Sequence, residues 1–399
     1  MERKLVITQI EGRIISSIIE NGAIIELHCS PVKEKHNIGA LGDIYVGRVK
    51  NIVPNIGAAF IEIAPGVECY FTLDTNKTPI FTHKIGKKPL CIGDELLVQI
   101  QKEAVKTKQP TVTSNFDITG KYAVLTYGDT RIGVSGKIGG KRKKELQELV
   151  KPYESKEYGF IIRTNAKDCP NEILLQEILT LQNLYRDMVS TAQTRICYSC
   201  LLKAPKSYLT DLKNIYQQDL ECILIEDDLI FQEVQEFLAK EQPEELEKLF
   251  HYEDSLLPLH KLYSVETAIQ SSMKERVWLN SGGYLVIQYT EAMTVMDVNT
   301  GKCTSKKNNE ETYLKINLEA AKEAAKQMRL RNLSGIIMID FINLEQEEHT
   351  KRLVKEFRQM LREDPIQTNF VDVTKLQLVE VTRKKVRKPF YESYQNDSI

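Results

Sequence analysis

Met293-Thr294-Val295-Met296-Asp297-Val298-Asn299-Thr300-Gly301-Lys302 and, further on, Gly335-Ile336-Ile337-Met338-Ile339-Asp340 are the two stretches that decide the fold of this chain. Each reads as an apolar strand that runs into an aspartate. Between them Leu314, Leu318, Ala321, Ala325 and Met328 recur at steps of four and three. That is the spacing of a helix with one stripe turned to a sheet, leaving Lys322, Lys326 and Arg329 outside the stripe. The second stretch is continuously apolar and reads as a central strand buried on both faces. Strand, helix and strand make a crossover unit, which sets the two strands parallel if they share a sheet. Asp297 and Asp340 then stand at carboxyl ends on one rim, where open α/β sheets carry their sites. Ser281-Gly282-Gly283 turns into a preceding strand, Tyr284 to Tyr289.

Two carboxylates brought together repel each other unless a cation lies between them, and oxygen ligands favour Mg²⁺ or Mn²⁺. Such a cation polarises a phosphoryl oxygen and lowers the pKa of a bound water, which is what phosphodiester hydrolysis needs. Asn299, two residues after Asp297, falls on the same strand face and would donate to a phosphate or fix the Asp297 carboxylate. An aspartate after a strand is also a common cap or turn residue, so spacing alone leaves a structural role open for both.

Nearer the N-terminus, residues 4–29 alternate like short strands, with a hairpin turn at Asn21-Gly22. From Gly39 to Ile100 closely spaced strands with glycine corners suit a small OB-type barrel. Such barrels bind single-stranded nucleic acid by stacking bases on aromatic rings beside a positive groove. Phe60 and Tyr70 are the candidate rings, with Lys102 and Lys108 as nearby cations, and a place in the barrel core is the rival reading for Phe60. The run Lys141-Arg142-Lys143-Lys144 opens an amphipathic helix and reads as a solvated face. Ser135 to Lys141 lacks the glycine spacing and hydroxyl residue of a phosphate loop. Helical periodicity covers 171–195 and 227–251, with an apolar strand, Leu220 to Ile225, between them.

With 399 residues, 42% hydrophobic and 27% charged, the chain can bury several small cores. A formal net charge of −1 means that binding to a polyanion must rely on local basic patches. No apolar run is long enough to span a bilayer, and Met1-Glu2-Arg3-Lys4-Leu5-Val6-Ile7 lacks a signal-peptide core, so the expected location is cytoplasmic, with no membrane partner. The eight cysteines are scattered. Only Cys197 and Cys200 have chelating spacing, and they read as two helix-face thiols, so no zinc is expected.

The segments Asp297 to Gly301, Glu310-Glu311-Thr312, Asn317 to Ala321, Arg329-Leu330-Arg331-Asn332-Leu333 and Gly335 to Phe341 resemble the catalytic core of the ribonuclease E/G family. Gly47-Arg48-Val49 to Tyr70-Phe71 resembles that family's S1-type RNA-binding barrel, and Phe160 to Thr164 its 5′-end sensor. The resemblance extends over nearly the whole chain and is closest to the short, ribonuclease G-like branch. It implies an α+β and α/β multidomain fold, in which an RNase H-like scaffold is interrupted by an S1-type OB-fold barrel and a 5′-sensor. A DNase I-like catalytic subdomain follows. The implied boundaries are 1–37 and 214–272 for the two scaffold parts, 38–117 for the barrel, 118–213 for the sensor and 273–399 for the catalytic subdomain with a basic tail.

The implied activity is Mg²⁺-dependent endonucleolytic cleavage of single-stranded A/U-rich RNA, leaving 5′-monophosphate and 3′-hydroxyl ends, in ribosomal RNA processing and messenger RNA decay. Asp297 and Asp340 would bind the metal, and Asn299 would act beside them. Arg163 and Thr164 would hold a substrate's 5′-monophosphate, with Gly120 and Val124 shaping that pocket. A planar guanidinium and a hydroxyl suit a phosphate end on physical grounds as well. Gly136 and Gln367 stand where the family commonly has basic residues. The family's Cys-Pro-x-Cys zinc link does not follow the basic segment Arg383 to Lys388 before Ile399, so a homodimer, if it forms, is expected without zinc. The alternatives are a catalytically idle RNA-binding or ribosome-associated factor, and a nuclease directed at DNA.

Overall fold

The computed structural model describes residues 2–32, 38–76, 78–104, 109–215, 220–301 and 309–395. The chain forms two compact units, one made of Met1–Lys33 with Gln218–Ile399 and the other of Glu34–Gln217. The first unit begins with a meander of β1 (Arg3–Ile10), β2 (Arg13–Glu20) and β3 (Ala23–Pro31). Glu11-Gly12 and Asn21-Gly22 join the strands with φ of 49° and 75°, and 49° and 80°. These left-handed pairs match the twist of the flanking strands.

In the second unit, β4 (Ile44–Val53), β5 (Ala58–Ala64), β6 (Val67–Thr72), β7 (Phe81–His83), β8 (Glu95–Lys102) and β9 (Thr111–Thr113) come first. The order β4-β5-β6-β9-β8 returns to β4 and closes a five-stranded barrel. Its core holds Val49, Ala59, Ile61, Cys69, Phe71, Leu96 and Val98. Gly47 is required there, because a Cβ would lie 2.6 Å from Ile61 Cγ2. Next come β10 (Asp117–Thr119), β11 (Ala123–Tyr127), β12 (Ile132–Val134), α1 (Gly140–Val150), β13 (Tyr158–Ile162), α2 (Asn171–Ala192), β14 (Cys200–Leu202) and α3 (Ser207–Asn214). The four-stranded sheet β10-β11-β13-β12 packs on α1 and α2 through Leu146, Phe160, Leu174 and Ile178. Cys197 and Cys200 are not on a helix: they flank a turn between α2 and β14, with Tyr198 at φ 73°.

The chain then returns to the first unit with β15 (Leu220–Ile225), α4 (Asp228–Glu241), β16 (Leu249–His251), α5 (Leu259–Leu262) and α6 (Val265–Met273). The helix expected over 227–251 stops at Glu241, because Pro243 cannot continue it, and the remainder becomes a short 3₁₀ turn and β16. One mixed sheet, β16-β15-β1-β2-β3, joins this segment to the N-terminal meander, with β1 parallel to β15.

The C-terminal segment holds β17 (Arg276–Trp278), β18 (Tyr284–Tyr289), β19 (Met293–Asn299), α7 (Asn309–Leu330), β20 (Gly335–Asp340), α8 (Glu347–Arg362), β21 (Thr368–Val373), β22 (Val379–Arg383) and α9 (Phe390–Gln395). The six strands run in the order β17-β18-β19-β20-β22-β21. Met296, Val298, Ile337, Ile339 and Val381 turn one face onto Ala320, Ala321, Ala324, Met328 and Phe357. The other face is open, so β20 is buried on one side only and Ile336 is 47% exposed. α7 also meets β3: Arg329, expected on the solvated side, is half-buried and pairs with Glu26 at 2.7 Å. Arg383, at the head of the basic segment, is buried against Asp364 at 2.7 Å, so it is a structural cation. Among the described residues no helix is long and apolar enough to cross a membrane.

Candidate active site on the open face of the C-terminal sheet

β19 and β20 are parallel, and their register puts Asp297 opposite Asp340. β19 runs two residues beyond its expected end, through Asn299, whose partner on β18 is Tyr284. Side chains two apart on a strand share a face, and Asn299 Nδ2 donates to Asp297 Oδ2 at 2.7 Å. Both aspartates are exposed. Partial burial and the neighbouring Asp297 charge raise the Asp340 carboxyl above its ordinary range. Neighbouring strands lie about 4.8 Å apart, so the two carboxylates face a common volume in front of the sheet. Among the described residues no cluster of three or more His, Cys, Asp or Glu forms a metal site.

Three residues of α7 fix the loops around this pair. Asn317, fully buried, donates from Nδ2 to Ile342 O at 2.7 Å and accepts from Ile342 N at 3.0 Å, pinning the chain just past Asp340. Glu310 accepts from the backbone N–H groups of Gln346 and Glu345 and lies 3.2 Å from His349 Nδ1; these contacts lower its pKa. Glu319 accepts from the N–H groups of Asn280 and Ser281, holding the turn into β18. Gly301, at φ 58°, passes so close to Gly282 that a Cβ would lie 2.2 Å from its carbonyl oxygen. Sequence reading did not assign these roles. The available signal was Asn317, a polar residue at a buried position of an amphipathic helix.

Gly120, Val124, Arg163 and Thr164 gather at the four-stranded sheet. Val124 lies opposite Ile161, and Arg163 follows two residues later on the same face. The half-buried Arg163 donates through Nη1 to Gly120 O at 2.7 Å and Lys213 O at 3.4 Å, and through Nη2 to Asn214 Oδ1 at 2.5 Å. Burial lowers its pKa, and among the described residues it forms no ion pair. It is therefore not the sheet-edge salt bridge that is the usual structural role of such an arginine. Thr164 Oγ1 lies 2.9 Å from Ser135 Oγ. Gly120 is buried because the Glu177 carboxylate occupies the space of its missing side chain, 2.5 Å from where a Cβ would be. Glu177 accepts from the N–H groups of Lys121, Tyr122 and Ala123, while desolvation raises its pKa.

On the barrel, Phe60 pairs with Tyr70, Tyr70 with Thr111, and Thr111 with Lys102, a row across four strands. Phe60 and Tyr70 are half-buried on the outer surface, with ring centroids 6.2 Å apart, whereas Ala59, Ile61, Cys69 and Phe71 fill the core. Lys102 is exposed at the end of β8, and Lys108 lies outside the described residues.

The ribonuclease E/G family model matches residues 117–386, which include the four-stranded sheet and both aspartates. The chain belongs to the ribonuclease E/G family. Ribonuclease G of Haemophilus influenzae is 34% identical to it over 396 residues, covering 96% of this chain and 79% of that protein. Ribonuclease G of Escherichia coli K12 is 32% identical over 400 residues, covering 96% and 79%. Ribonuclease E of a Nostoc species is 32% identical over 365 residues, covering 89% of this chain and 52% of that protein. This ribonuclease E/G family member thus aligns with ribonuclease G relatives from the β-meander through the C-terminal sheet.

Proposed function

We propose that the chain is a metal-dependent endoribonuclease that cuts single-stranded RNA in ribosomal RNA processing and messenger RNA decay, leaving 5′-monophosphate and 3′-hydroxyl ends. The single observation that carries the chemistry is the in-register pair Asp297 and Asp340 on an exposed sheet face. The residues fit a hard divalent cation: two aspartates face each other across adjacent parallel strands, and the partial burial and like charge that raise the Asp340 carboxyl are both offset by a nearby positive charge. With only two protein ligands the ion would keep several waters, as Mg²⁺ does. When bound it would supply Lewis-acid activation of the phosphodiester and a more acidic water.

The chain's own residues do the positioning. Asn299 donates to one Asp297 oxygen and so restrains the orientation of that carboxylate. Asn317 and Glu319 keep the loop after Asp340 and the turn before β18 in place. The pair of rings on the barrel, with Lys102 in the same row, suits capture of unpaired bases and backbone. Arg163, Thr164, Gly120 and Val124 are read as the 5′-monophosphate pocket, supported by a half-buried guanidinium whose hydrogen bonds go to neutral backbone and amide oxygens.

The three antiparallel and two parallel strands of the β16-β15-β1-β2-β3 sheet suit an RNase H-like scaffold, and residues 273–399 a DNase I-like subdomain. A cytoplasmic location belongs to the same reading. The test is cleavage of a single-stranded RNA by the purified chain in chelator and after Mg²⁺ is added back. Cutting that returns only with the metal supports the proposal, and metal-independent cutting contradicts it.

A further inference from the structure

The open face of the C-terminal sheet carries side chains that the carboxylate chemistry does not use. On the edge strand β17, Trp278 pairs with Tyr284 of β18 and Arg276 with Val286. On the other side of β18, Tyr284 pairs with Asn299 and Val286 with Asp297. Paired residues of antiparallel strands project from the same face. Trp278, Tyr284 and Asn299 therefore form one row, and Arg276, Val286, Asp297 and Asp340 the next. The Trp278 and Tyr284 ring centroids are 5.2 Å apart at 60°. The Arg276 guanidinium lies 4.5 Å from the Tyr284 centroid and 5.8 Å from that of Trp278. Trp278 is 60% exposed, an unusual place for so large an apolar ring. Among the described residues Arg276 has no ion-pair partner, and the two strand spacings from β17 to β19 amount to roughly 10 Å.

We propose that Arg276, Trp278 and Tyr284 form a stacking platform for one nucleobase of the single strand, beside the bond to be cut. This rests on the ribonuclease reading of the aspartate pair and adds a substrate-binding site to it. Trp278 offers an open π-face, Tyr284 braces it from the sheet, and Arg276 adds a cation where a polyanion would pass. The occupant follows from continuity: the two rows lead without interruption into Asn299 and Asp297, so a strand lying across the carboxylates runs over the platform.

Trp278 is the only tryptophan of the chain, so its emission reports on this ring alone. The Asp297→Asn chain, with Mg²⁺, is titrated with a single-stranded RNA decamer and with matched decamers that each lack one base. The expected result is a change in Trp278 emission on binding and one base position whose removal weakens affinity by about five- to a hundredfold, the range of base–aromatic stacks. In a chain also carrying Trp278→Ala that penalty should shrink to about twofold or less, and Trp278→Phe should restore most of it. Equal penalties with and without Trp278, or tight RNA binding with unchanged emission, overturn the platform alone. Failure of the unsubstituted chain to cut or bind RNA overturns the ribonuclease reading and the platform with it.

Discussion

Replacing Asn317 by alanine should loosen the candidate active site without touching either aspartate of the proposed metal pair. The Asn317 side chain makes two hydrogen bonds to the backbone of Ile342, at 2.7 and 3.0 Å, two residues past Asp340. Alanine removes both and leaves a part-buried N–H and C=O to find other partners. At about 0.5–1.5 kcal/mol for each hydrogen bond, the loss is roughly 1–3 kcal/mol. Asn317→Asp should cost at least as much near neutral pH, because it keeps the acceptor, loses the donor and buries a charge. The assay is urea unfolding followed by the emission of the single tryptophan, with the cleavage rate measured in parallel. Trp278 lies in the same sheet as Asp340, so its signal reports on the relevant unit. The variant should unfold at lower urea with an unchanged slope and cut RNA more slowly. A midpoint and rate equal to those of the parent would refute the idea that Asn317 holds the loop.

Three further outcomes follow from the same geometry. The Asp340 carboxyl is raised in the folded state, so its protonated form is favoured there, and the stability it contributes at low pH is lost as pH rises through its folded pKa. Without metal, Asp340→Asn should therefore be more stable than the parent at neutral pH, and Mg²⁺ should raise the melting temperature of the parent but not of the variant; thermal scans with and without chelator decide this. Glu177→Ala should cost about 2–4 kcal/mol by freeing three N–H groups of the Lys121–Ala123 turn, seen as faster amide exchange at those residues, and Glu177→Gln should cost less. Asp364→Ala leaves the buried Arg383 guanidinium without its carboxylate and should destabilise by about 3–5 kcal/mol in chemical denaturation.

The aspartate pair was legible because two apolar runs, each leading into an acidic residue across a helical spacer, fix strand direction and rim together. Less legible was what surrounds it. Apolar composition cannot distinguish a strand buried on both faces from one with an open face, so the run from Gly335 to Ile339 reads as fully covered although Ile336 is exposed. In β5 the alternation Ala59, Phe60, Ile61 allows either phase, and the small residue proves to be the one turned inward. Arg329 and Arg383 look like solvated charges in a sequence, and only tertiary pairing with Glu26 and Asp364 reveals them as structural. The bonds of Arg163 to Gly120 and Asn214 come from segments distant in sequence, which no local pattern encodes. Pro243, by contrast, was a visible stop signal for α4.

The most direct test of the account is single-turnover cleavage of a 5′-monophosphorylated single-stranded RNA by the parent chain and by Asp297→Asn at saturating Mg²⁺. A Lewis-acid contribution of several kcal/mol predicts a loss of at least about a hundredfold in the variant, with the RNA still bound. Equal rates for the two proteins would contradict the assignment of Asp297 and Asp340 as the metal-binding centre.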